Sequence, residues 1–82
     1  MDPDFVFERM MEYIIKNDLN QAKASAISDM NKINENPLTS MIIMSANTET
    51  DLIKQISGFT MMSDKVKQYY NNPQKAISDY SK

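Results

Sequence analysis

The sequence contains no cysteine, no histidine and no tryptophan, and only one glycine. Each absence excludes a chemistry. A structural zinc site needs thiolate or imidazole ligands. A Ser-His-Asp triad, a Cys-His pair and a His general base all need residues that are missing here. Haem held by His or Cys and iron–sulfur ligation go with them. No disulfide can staple the chain, so a disulfide-framed miniprotein is excluded. A phosphate loop or a dinucleotide fingerprint needs several glycines, and Gly58 stands alone.

Long apolar runs and blocks of positive charge are missing as well. The longest purely apolar run is Met41-Ile42-Ile43-Met44, whereas a membrane-crossing helix needs ~20 such residues. The start, Met1-Asp2-Pro3-Asp4, is acidic rather than basic, unlike a secretory signal. A cytoplasmic location with no membrane partner is expected. Nine Lys and Arg against eleven Asp and Glu give a net charge of −2, with a pI near 4.9. The basic residues are scattered, with no cluster to meet a nucleic acid.

What is present is helical in character. At 82 residues the chain is one domain, 1–82. Strict alternation of apolar and polar residues does not persist, while three- and four-residue steps recur. The first segment runs from about Pro3 to Lys16, with Asp2 as N-cap and Pro3 at the first helical position. Asn17-Asp18 closes it and caps the next. The second segment, about Leu19 to Glu35, has the clearest period: Leu19, Ala22, Ala26, Met30 and Ile33. Asn36-Pro37 breaks it, because the residue before proline avoids the helical region. The third segment, about Pro37 to Ala46, is apolar on nearly all sides, which predicts burial of most of its surface.

Thr48 to Asp51 offers a capped start for a fourth segment, about Glu49 to Ser57, with Leu52, Ile53 and Ile56 inward. Gly58 stands where a left-handed residue is expected after a helix. A fifth segment starts near Thr60 or Ser63, with Met61, Met62, Val66, Tyr69 and Tyr70 on its apolar face. After Asn71-Asn72-Pro73 a last helix, Gln74 to Tyr80, brings Ala76, Ile77 and Tyr80 to one side. The fold class is all-α, a compact bundle of five or six short helices.

Leu, Ile, Val and Phe number 17, a thin core for this length. A chain of this size buries only about 60–65% of its unfolded surface. The eight methionines must therefore supply part of the core, or else line a groove that adapts to partner helices. Rich use of Ile, Asn and Lys fits AT-biased coding, under which the methionines are plain core filler. Tyr69-Tyr70 at a helix end reads as one ring inward and one outward, and an outward Tyr suits an interface. The carboxylates Asp2 and Asp4, and Glu49 and Asp51, lie where caps are expected. Catalysis would need Asp2, Asp4, Glu8, Glu12, Asp18 and Asp29 to converge on one cavity, and helical spacing lets only two or three of them do so.

Residues 9–33, with the isoleucine-rich turn Tyr13-Ile14-Ile15, then Asn17-Asp18-Leu19, Ala22 and Met30, resemble a segment of small head-core proteins of T-even-like tailed phages. That resemblance implies a phage protein acting in its host's cytoplasm. Residues 36–80, with Asn36-Pro37 before Met41 and Met44 and Asn72-Pro73 after Met61 and Met62, are similar to the Met-rich helical client-binding modules of co-chaperones and ubiquilins. This second resemblance implies a groove for an apolar peptide helix.

The expectation is a non-catalytic protein with no cofactor and no metal. It binds another protein, itself, or both, as a regulator or inhibitor acting by direct contact, or as a self-assembling structural component. The residues expected to carry binding are Met41, Ile42, Met44, Met61, Met62, Tyr69 and Tyr70.

Overall fold

A computed structural model describes residues 2–82. Six helices follow one another: α1 (Asp4–Ile14), α2 (Leu19–Ile33), α3 (Pro37–Met44), α4 (Glu49–Ser57), α5 (Asp64–Lys67) and α6 (Pro73–Tyr80). A single 3-10 turn, Gln68–Tyr70, links α5 to α6. The described residues contain no strand, and the chain is a compact all-α bundle with a radius of gyration of 11.2 Å.

Local chemistry sets the breaks. Helix α1 ends where Asn17 takes a left-handed φ of 61°, a conformation Asn tolerates better than most residues. The Asn17 amide donates to Ile14 and the Asp18 amide to Tyr13, which closes the orphan carbonyls in a Schellman arrangement. Asp18 then caps α2 by accepting from the Gln21 amide at 3.1 Å. Asn36 and Thr48 cap α3 and α4 in the same way, through the amides of Leu38 and Asp51. Pro37 and Pro73 occupy first-turn positions in α3 and α6, where a missing N–H costs nothing.

The short α1–α2 turn folds the two longest helices into a hairpin with the most extensive contact in the fold. Ala22 and Ala26 of α2 let it approach Val6, Phe7, Met10, Met11 and Ile14 of α1, all buried. The second half of the chain closes the core with Leu52, Ile53, Ile56, Met62, Val66, Tyr69 and Ala76. Phe7 stacks on Tyr69 at 5.5 Å, and Tyr80 meets both rings edge-on.

Two polar ties hold distant segments together. Asp4 accepts from the backbone amide of Ser63 at 2.9 Å and from its hydroxyl, fixing the start of α1 to the start of α5. Asp29, buried on α2, lies 3.0 Å from the Arg9 Nε and 3.4 Å from the Lys32 Nζ. The Arg9 contact is an ion pair by distance, without the alignment of a full hydrogen bond. A buried carboxylate left unpaired would be costly, so these two cations are part of the hairpin's structure.

Two expectations about local structure are corrected. Gly58 has φ −82°, a right-handed conformation. Its lack of a side chain serves a close approach instead: a Cβ there would lie 3.1 Å from the Lys54 carbonyl and 3.3 Å from the Tyr70 ring. The apolar segment at Met61-Met62 also lies outside any helix, since α5 begins only at Asp64.

Candidate functional site

Helix α3 reverses the usual pattern of a small protein. Its outward side is its apolar side. Leu38 is 65% exposed, Met41 65%, Ile42 44% and Met44 60%. Only Ile43 of the helix is buried, with Ala46 just past its end. The expected burial of this segment is therefore overturned. The reason is geometric: α3 has eight residues and rests on α2 and α4. One inward line of side chains is all that such a docking can cover. The 3.6-residue period sends Leu38 and Met41 to the opposite side and leaves Ile42 and Met44 on the two flanks.

The helix is held in place at both ends. Asn36 caps its start. At its end, Lys23 of α2 donates from Nζ to the Ala46 carbonyl at 2.7 Å, and the Ser45 hydroxyl donates to the Ile42 carbonyl. A cation at the last carbonyls also suits the helix dipole. From Asn36 to Thr48 no residue carries a charge.

Beside α3 lies a groove of about 680 Å³ along the outer stripe of α2. Ala24, Ile27, Ser28 and Asn31 line it, and Met44 forms a wall. Met44 thus belongs both to the α3 ridge and to the groove. Lys23 lines it too, with its ammonium already engaged by Ala46.

The residues expected to bind a partner separate into two groups. Met41, Ile42 and Met44 share the exposed α3 face, and Tyr70 is exposed elsewhere. Met62 and Tyr69 are buried in the core, which removes them from any surface, and Met61 is half-buried against that core. The Tyr pair divides as its position suggests, Tyr69 inward and Tyr70 outward. Leu38 was not among the expected residues, although it precedes Met41 by three and stands on the same helical line. The groove on α2 was also missed, because its small residues show no apolar stripe.

Tyr70 stands apart from the α3 face. The Lys54 ammonium lies 5.3 Å from its ring centre, and a cleft of about 440 Å³ between Asp51, Lys54, Gln55 and Phe59 adjoins it. Its ring already has a cation over one face, and charges of both signs rim the cleft. The α3 face has neither feature.

The perturbed titratable groups lie in the aromatic cluster, not at α3. The Tyr69 hydroxyl donates to the Asp79 Oδ2 at 2.8 Å, and Lys75 Nζ donates to the same oxygen at 2.8 Å. Burial first, and then the Asp79 carboxylate, push Tyr69 up to about 12. Lys75 first and Tyr69 second hold Asp79 below the usual carboxylate range. Burial and the Glu8 carboxylate raise Tyr80 above its ordinary value. Among the described residues no three carboxylates gather as a metal site would require. No helix among them is long and apolar enough to cross a membrane.

No protein family, characterised protein or solved structure matches the chain.

Proposed function

We propose that this chain is a non-catalytic binding protein whose docking surface, for another protein or for a second copy of itself, is the outward face of α3. One observation carries the reading. Four large apolar side chains, Leu38, Met41, Ile42 and Met44, stand exposed together on a helix without charge. Single exposed apolar residues are ordinary, but a contiguous group of this kind marks an interaction surface. Two of the four are Met, whose flexible and polarizable side chains repack against a partner. A small phage or viral regulator, acting by contact in the host cytoplasm, is the concrete form of this proposal.

The test compares three immobilised proteins in capture from a lysate of the source cell: wild type, the double variant Leu38→Asp with Met41→Asp, and Tyr70→Ala. The expected result is a partner held by wild type and by Tyr70→Ala and lost from the double variant. Circular dichroism should be unchanged across all three. A partner held equally by the double variant would overturn α3 as the binding face.

A further inference from the structure

We infer that the occupant of the α3 face is a second copy of this chain, related to the first by a two-fold axis. The inference rests on α3 being a docking face and adds the identity of what docks.

Shape is the first argument. The face carries a ridge and a groove side by side. The ridge is Leu38 and Met41 on α3; the groove runs over Ala24, Ile27, Ser28 and Asn31 on α2, with Met44 between them. Ala24 and Ser28 are small and exposed, so the groove floor is open to an incoming side chain. A two-fold axis near Met44 places the ridge of each copy in the groove of the other. A surface that contains both its own projection and its own recess is self-complementary, as a two-fold interface requires.

Charge is the second argument. Across a two-fold axis a charged residue near the axis meets its own copy, so like charges face each other. The stretch from Asn36 to Thr48 has no charge at all. The one ammonium at the groove, that of Lys23, is engaged by the Ala46 carbonyl. The net charge of −2 comes from residues outside this ridge.

Area is the third. A standard interface takes roughly 800 Å² from each partner. That is a large share of the 4805 Å² this small chain exposes, and an eight-residue helix does not supply it alone. Two-fold symmetry makes every ridge-to-groove contact twice, so α2 and α3 both contribute from each copy. Small chains commonly complete a thin core by such pairing.

The natural absence of cysteine makes the test direct, since introduced thiols are the only ones present. Chains carrying Met41→Cys are mixed with chains carrying Ser28→Cys under mild oxidation. Light scattering on a sizing column is run in parallel across a wide concentration range, with Met41→Asp and Ala24→Arg as variants. The expected result is twice the chain mass, with mixed Met41→Cys and Ser28→Cys cross-links forming faster than Tyr70→Cys with Ser28→Cys. Either charged variant should weaken the dimer by at least about a hundredfold, because each places two unpaired charges in the contact.

A monomer at every concentration overturns the second copy as occupant. In that event, capture of another protein that depends on Leu38 and Met41 leaves the docking face standing, and loss of such capture removes both. A dimer indifferent to both charged variants overturns the α3 face as its interface. A mass that grows without a plateau overturns the closed two-fold pair in favour of head-to-tail assembly.

Discussion

Lys23 reaches from the second turn of α2 to the end of α3, its Nζ donating to the Ala46 carbonyl at 2.7 Å. One side chain thereby orients the short helix that presents the exposed apolar ridge. In the sequence Lys23 looks like a flaw in the apolar stripe of α2. In the fold it satisfies a carbonyl that the end of α3 leaves without a helical partner.

Replacing Lys23 by Met keeps the apolar stem and removes the donor. The expected cost is about 1–2 kcal/mol, as for a partly exposed hydrogen bond to a charged group. The loss should be local before it is global. Hydrogen exchange is the measurement: the amides of Ser45 and Ala46 should exchange faster than in wild type, while those of α1 keep their protection.

Two methionines distinguish core from face. Met62→Ala empties a buried site and should cost about 2–5 kcal/mol in urea unfolding. Met41→Asp changes a side chain that touches little within the chain and should stay within about 0.5 kcal/mol in the monomer. Equal costs for the two would show that Met41 is packed. Dilute peroxide gives a second view of the same contrast. Met41 and Met44 should become sulfoxides first and Met10, Met11, Met30 and Met62 last, as mass spectrometry of peptides will read.

Asn17 bears the only left-handed φ of a non-glycine residue among the described residues. Asn17→Ala should destabilise the α1–α2 hairpin by about 1 kcal/mol, because a Cβ without a polar group gains nothing in that conformation. Asn17→Gly should be neutral or slightly stabilising. Thermal melts of the two variants give the comparison, and an alanine variant as stable as wild type would remove the strain argument.

The Tyr69–Asp79–Lys75 network sets two pH limits. Asp79 has a lowered folded pKa, so the stability it contributes is present above its unfolded value near 4 and is lost as pH falls through the folded one. Tyr69 is raised from 10.0 to about 12. Its contribution is whole below pH 10 and is lost as pH climbs toward 12. Tyr69→Phe should flatten the alkaline limb and shrink the acid one, since it removes one of the groups that hold Asp79 ionised. Denaturant midpoints measured across pH provide the check. An alkaline limb unchanged in Tyr69→Phe would assign it to another group, Tyr80 foremost.

Much of the architecture was legible in order and spacing. The breaks at Asn17-Asp18, Asn36-Pro37, Thr48 and Asn72-Pro73 are local events, settled by backbone φ preference and by side chains that cap amides within three residues. The inward set Ala22, Ala26, Met30, Leu52, Ile53 and Ile56 follows from helical period for the same reason. The division of Tyr69 from Tyr70 also follows, because neighbours in a helical turn point far apart, by about 120° in the 3-10 turn that holds them.

What only the tertiary structure decided is which apolar residues run out of neighbours. Composition counts Met41, Met44 and Met62 alike, and their side chains are identical. Met62 is covered because the turn before α5 folds it onto the core, while Met41 and Met44 stay outside because α3 is too short to be wrapped by a third helix. Asp29 shows the converse. Its charge predicts exposure, but the hairpin places Arg9 beside it and buries it. Period and capping are properties of a segment. Burial is a property of how segments are stacked, and that depends on contacts between residues far apart in the chain.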